Sequence, residues 1–146
     1  MSRFIVLALI VSFAVVDRAG AEDWGAYGIV PASALDMVLE AVDSGTADGT
    51  IVSIGKPSGA ANQKWLIAPK GEGYFVVRPA HSPALVMAAA QGSDRRGTQI
   101  VLETESGKPS QLWKLTKLKN DGYSLTPKHA PAMGLDHLGG KKEPGA

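Results

Sequence analysis

Short apolar stretches alternate with Gly, Ser, Asp and Pro clusters along most of the chain. "YGIVP" (27–31), "YFVVRP" (74–79) and "YSLTP" (123–127) are aromatic or β-branched runs, each closed by a Pro. Such runs predict strands. "MVLEAV" (37–42) and "LVMAAA" (85–90) follow the first two, and then "GTIVSI" (49–54) and "GTQIVLE" (97–103) open on Gly-Thr and alternate afterwards. "QKWLI" (63–67) and "QLWKL" (111–115) complete the series. "DSGTADG", "GKPSG", "QGSDRRG" and "ESGKPS" punctuate them as turns. "ALDMVLEAV" has the composition of a helical turn, but its counterpart "SPALVMAAA" carries a Pro between turns. Both therefore read as strands.

These stretches recur with a period of about 48 residues, within the range that marks repeat architectures. The offset is constant and needs no gap. Gln63 and Trp65 fall on Gln111 and Trp113, Gly49-Thr50 on Gly97-Thr98, and Val38-Leu39 on Val86-Met87. Pro31, Pro79 and Pro127 are one position three times over, as are Gly49, Gly97 and Gly145. His81 and Pro83-Ala84 recur as His129 and Pro131-Ala132. Four short strands per copy in three copies predict a closed all-β architecture with pseudo-threefold symmetry. The copies run over about 27–74, 75–122 and, in part, 123–146. A Trp at the same point of each copy suits a shared core, since a large ring there fills the centre. The Gln two residues earlier is expected on the same strand face, its amide tying a loop backbone to the strand. Gln63, Trp65, Gln111 and Trp113 are thus read as structural before they are read as ligand contacts.

With this pattern in place, the chain resembles the ricin B-type lectin domain, a β-trefoil whose repeats carry Gln-x-Trp. The resemblance rests on the two Gln-x-Trp motifs, the Gly-Thr before them, and the acid after Leu at Leu39-Glu40 and Leu135-Asp136. It spans about residues 25 to 146, nearly the whole of the chain expected after leader cleavage (22–146), and it implies a carbohydrate-binding module. The third Gln and Trp would fall one further period after Gln111 and Trp113, past Ala146. The third repeat is therefore expected to be incomplete and the barrel open. An open barrel exposes strand edges that invite pairing. That favours the N-terminal part of a longer protein, with another segment or protomer completing the fold as the alternative.

The resemblance also implies where sugar would bind. The family uses an acid after the Leu, an aromatic ending the strand after Gly-Thr, and an Asn directly before the Gln. A carboxylate accepts from neighbouring hydroxyls and an amide both donates and accepts. Copy one offers Glu40 and Asn62, with Gly55 where the aromatic would stand. Copy two has Ala88, Glu103 and Ser110 in these places and departs from the family pattern throughout. Copy three supplies Asp136. The candidate carbohydrate-binding residues are therefore Glu40, Asn62 and Asp136. The competing readings are solvated charges at strand ends for the acids, and a turn-capping amide for Asn62.

Composition narrows the rest. Arg3, the apolar "FIVLALIVSFAVV" (4–16) and the small residues "AGA" (19–21) have the form of a secretory leader cleaved after Ala21. The run is too short for a membrane anchor, which needs about 20 apolar residues. Without Arg3, Arg18 and Asp17, the 15 basic and 14 acidic residues fall to 13 each. That balance gives no footprint for nucleic acid or an anionic membrane. There is no Cys, so disulfides and thiolate chemistry are excluded. A secreted or periplasmic location follows as an expectation.

Enzyme signatures are missing: no Gly-x-Ser-x-Gly elbow, no phosphate-binding loop and no His-Glu-x-x-His. Asp136 and His137 are adjacent, so on a strand they would point to opposite faces and make a poor metal or acid–base pair. His81, His129 and His137 read as turn residues, and Arg95 and Arg96 as a solvated hairpin tip. No catalytic residue, metal or cofactor is expected in this chain. Domains of this kind accompany hydrolases, so a catalytic unit in a longer protein is compatible with the reading. The alternative function is a non-lectin β-trefoil scaffold that binds a protein partner.

Overall fold

The computed structural model describes residues 7–11, 26–119, 121–136 and 145. Ten strands and four single-turn 3₁₀ segments account for the regular structure among them. The strands are β1 (Leu7–Val11), β2 (Ala26–Pro31), β3 (Val38–Ala41), β4 (Val52–Gly55), β5 (Trp65–Gly71), β6 (Tyr74–Pro79), β7 (Leu85–Ala89), β8 (Ile100–Thr104), β9 (Trp113–Lys117) and β10 (Tyr123–Pro127). Each strand predicted from residue 26 onward appears, and "ALDMVLEAV" contributes a strand where its composition also allowed a helical turn. Six strands form a closed barrel in the order β1-β10-β9-β6-β5-β2, and β3-β4 and β7-β8 are two-stranded hairpins beside it. This is a β-trefoil.

The threefold repetition is visible bond by bond. Ala34, Ser82 and Ala130 each return their N–H to the repeated Pro three residues earlier, at 3.0, 3.2 and 3.1 Å. Ile29, Val77 and Leu125 occupy one position of the three copies, and all are buried at 0–1% exposure. Trp65 and Trp113 are the largest fully buried side chains. Their indole N–H groups donate to Leu39 O at 3.1 Å and Met87 O at 2.9 Å, acceptors that are themselves equivalent in the repeat. Copies also clasp one another. The N–H of Gly49 donates to Leu102 O at 2.8 Å, and the N–H of Gly145 donates to Ile54 O at 2.7 Å. These two bonds are related by the repeat, so copy three docks on copy one as copy one docks on copy two.

Two expectations are revised. The barrel is not open: β1, from the apolar run read as a leader, stands between β2 and β10. An apolar, β-branched run satisfies the edges that a third copy without its last strands would leave. The Gln of each Gln-x-Trp does not lie on the strand with its Trp. Gln63 and Gln111 end the 3₁₀ turns Ala61–Gln63 and Pro109–Gln111, each two residues ahead of the Trp that opens the next strand. The cleavage position after Ala21 and the reading of His137 lie outside the described residues.

His81 and His129 are indeed in turns, but they are not idle. Their Nε2 atoms lie 2.7 and 2.8 Å from Gly45 O and Ser93 O, each 36 residues earlier. Each histidine thus ties the start of one copy to the hairpin loop of the copy before. Arg95 and Arg96 are exposed at the β7–β8 tip, as expected.

Candidate carbohydrate site

The site of copy one grows from the Gln63 amide. Its Oε1 accepts the Ser58 N–H at 2.8 Å, and its Nε2 donates to Lys56 O at 2.8 Å and to Glu40 Oε2 at 2.9 Å. One side chain thereby closes the loop after β4 and holds the candidate acid. Next to it, Asn62 donates from Nδ2 to Ala41 O at 2.9 Å and is buried. Glu40-Ala41 on β3 and Asn62-Gln63 in the 3₁₀ turn are thus joined rung by rung. Glu40 and Asn62, both named from sequence, are linked indirectly, each bonded to the other's chain neighbour.

It also shows what fills the position left by the family aromatic. A Cβ placed on Gly55 would collide with the Glu40 carboxylate. The longer acid lies across the hairpin and covers Gly55, so a side chain at this position would displace the Glu40 carboxylate. Opposite Glu40 in the β3–β4 register stands Ser53, whose buried hydroxyl has no partner. After β3 the chain turns through Asp43 and Ser44 with φ of 53° at both, a left-handed pair of non-glycine residues. Each such residue costs about 1–2 kcal/mol. The acid is therefore flanked by a strained turn, a glycine and an orphan hydroxyl.

Copy two solves the same problem from the other strand. Gln111 Oε1 accepts the Ser106 N–H at 2.8 Å, and Nε2 donates to Thr104 O at 3.0 Å. Its second donation, at 3.0 Å, goes to Glu103 Oε2. Glu103 occupies the position of Gly55, and Ala88 the position of Glu40. Each copy thus places one carboxylate on the Gln amide, from β3 in the first and from β8 in the second. Read from sequence alone, copy two lacks the acid after its hydrophobic pair and carries Glu103 where copy one has Gly55. The signal for the exchange was present as a Gly where one copy has Glu, and an Ala where the other does.

Around Glu103 lies an open cavity of about 610 Å³ lined by Asp48, Gly49, Gln91, Glu103, Glu105 and Lys108, among others. Asp48 and Glu105 are committed to the protein. Asp48 Oδ1 accepts the N–H and hydroxyl of Thr104 at 2.8 and 2.9 Å. Glu105 binds Lys70 and Arg78, both at 2.7 Å. The hydrogen bond from Arg78, and then that from Lys70, hold the Glu105 carboxyl below its ordinary range.

Asp136 is exposed and follows the buried Leu135, whose N–H donates to Leu125 O at 2.9 Å. It is the third-copy counterpart of Glu40, so the two acids belong to different sites of the threefold arrangement and are not one cluster. No group of three or more His, Cys, Asp or Glu suited to a metal ion occurs among the described residues. No helix among them is long and apolar enough to cross a membrane.

The description "Ricin-type beta-trefoil lectin domain-like" belongs to the family model that matches residues 13–103 and, overlapping, 84–146. The chain belongs to this family. No curated protein sequence matches it. Among solved structures it is similar to ThreeFoil, a designed threefold-symmetric protein, with a TM-score of 0.77, 25% identity and coverage of 81% of this chain and 82% of that one. It is also similar to 1,3Gal43A, an exo-beta-1,3-galactanase from Clostridium thermocellum, with a TM-score of 0.60 and 25% identity over 74% of this chain and 21% of that one. A mosquitocidal holotoxin shares the fold, with a TM-score of 0.74 and 24% identity over 83% of this chain. The chain spans only 14% of the holotoxin's length.

Proposed function

We propose that this domain is a carbohydrate-binding module of an exported protein, with its binding site in copy one at Glu40 and Asn62. The observation that carries the reading is their junction. In a lectin-like fold, an acceptor carboxylate and a donor–acceptor amide are held side by side through Ala41 and Gln63. A primary amide has two N–H donors and an oxygen, so one bond to Ala41 leaves Asn62 capacity for a sugar hydroxyl. Asp136 would serve a second site in copy three. The copy-one site has Gly55 where the family has an aromatic, so it binds weakly, and useful affinity comes from several sites or from tethering to a larger protein.

Export is supported by the composition of residues 1–21. An accessory role beside a catalytic unit is supported by the galactanase neighbour, of which a domain like this one makes up 21%. The module itself performs no chemistry in this reading. A protein-binding scaffold without lectin activity is the second reading. It is favoured by one observation: in copies one and two the conspicuous carboxylate serves the Gln amide.

The test is a glycan array probed with the folded full chain, with β-1,3-linked galactan among the probes. Binding that is weakened by Glu40→Gln and by Asn62→Ser, the residue type of copy two, is expected. Absence of binding above background by a folded chain overturns the proposal in favour of the scaffold.

A further inference from the structure

The barrel is closed by a strand that the repeat does not supply. Trp65 pairs with Pro79 on β6 and with Tyr27 on β2. Trp113 pairs with Pro127 on β10 and with Phe75 on β6. These partners are equivalent positions of successive copies. Carried once more around the barrel, the same rule places the third Trp opposite Pro31 and Tyr123. The residue found there is Leu7, paired with Pro31 on β2 and with Tyr123 on β10. Leu9 then pairs with Ile29 as Ile67 pairs with Val77 and Leu115 with Leu125. Strand direction, both neighbours and register all match those of a Gln-x-Trp strand.

We infer that the space between β2 and β10 is a strand-acceptor site built for the third Gln-x-Trp strand. In this chain, its occupant is the N-terminal segment Leu7–Val11. The site recognises an extended apolar strand through backbone hydrogen bonds, with register set by the alternation of apolar positions. An intramolecular strand fills it at high effective concentration. In a chain of residues 22–146 the occupant is gone, and the two facing strand edges are open to another strand. The N-terminal segment and a third Gln-x-Trp strand would therefore compete for one site. This inference rests on strand pairing alone and holds whether or not the module binds sugar.

The primary experiment uses the full chain with Ile5→Gln and Leu7→Trp, which writes Gln-x-Trp into the segment at the inferred register. The added indole is expected to be as protected from acrylamide quenching as the buried Trp65 and Trp113, with no downward shift in the urea unfolding midpoint. An added indole as accessible as free tryptophan overturns the inference. A chain starting at residue 22 provides the second measurement. Its urea midpoint is expected to fall, and to rise again when a peptide of sequence "KPSQLWKLTKL" (108–118) is added. A midpoint equal to that of the full chain, unmoved by the peptide, also overturns it.

Discussion

Copies one and two bury their Gln-x-Trp motifs in the same way and build their surfaces differently. In both, the indole N–H is spent on the carbonyl of a hydrophobic residue 26 positions earlier. In both, the Gln carbonyl oxygen takes the N–H of a Ser five positions earlier. The carboxylate that completes the amide, however, comes from β3 in copy one and from β8 in copy two. The constraint therefore belongs to the buried amide, which needs an acceptor. The position supplying that acceptor is free to move, provided the opposing residue is small. Where the acid sits then decides which strand of the hairpin carries charge.

The most damaging test of this equivalence removes the rings. Trp65→Ala and Trp113→Ala should each cost about 3–5 kcal/mol, and chemical denaturation should show losses of similar size. A large inequality would mean that the two copies do not share one centre. Next come the amides. Gln63→Ala and Gln111→Ala each strand a loop N–H, a loop carbonyl and a carboxylate, at roughly 1–3 kcal/mol for buried groups left unpaired. The loss should be greater at Gln111, which is fully buried, than at Gln63, at 6% exposure.

The exchange of carboxylates can be reversed. Ala88→Glu alone crowds two acids onto Gln111, whereas Ala88→Glu with Glu103→Gly rebuilds copy two in the image of copy one. The double variant should be more stable than the sum of its single changes predicts, by about 1 kcal/mol in a double-mutant cycle. Strict additivity would show that the two positions do not compete for one amide. Ser53→Val, which copies Val101 of the second repeat, replaces a buried hydroxyl without a partner. It should stabilise the fold by about 1 kcal/mol, readable as a raised melting temperature.

The smallest effect concerns acid. The Arg78–Glu105–Lys70 cluster lies at copy two, where copy one has Pro57 in place of Glu105. Because the folded-state pKa of Glu105 is lowered, its stabilisation is fully present above the ordinary carboxylate value. It is lost as pH falls through the lowered one. Stability curves of the wild type and Glu105→Gln should therefore differ at neutral pH and converge in acid. Parallel curves across that range would remove the cluster from the account.

The sequence by itself determined the period, the strand positions from residue 26 onward and the all-β trefoil. It did so because a repeated core forces apolar residues to return at fixed intervals, and turns return with them. Contacts across the hairpin and around the barrel had no such signature. The covering of Gly55 by Glu40, the capture of Glu103 by the Gln111 amide, and the placing of each Gln in a 3₁₀ turn ahead of its Trp strand depend on contacts between segments that the local pattern does not record. The placing of β1 depends on the same kind of fact. The apolar run "FIVLALIVSFAVV" reads as a leader by composition, and only the unpaired edges of β2 and β10 give part of it a register as a strand. Local pattern encodes what each segment prefers, whereas the vacancies left by all the other segments decide where an ambiguous one goes.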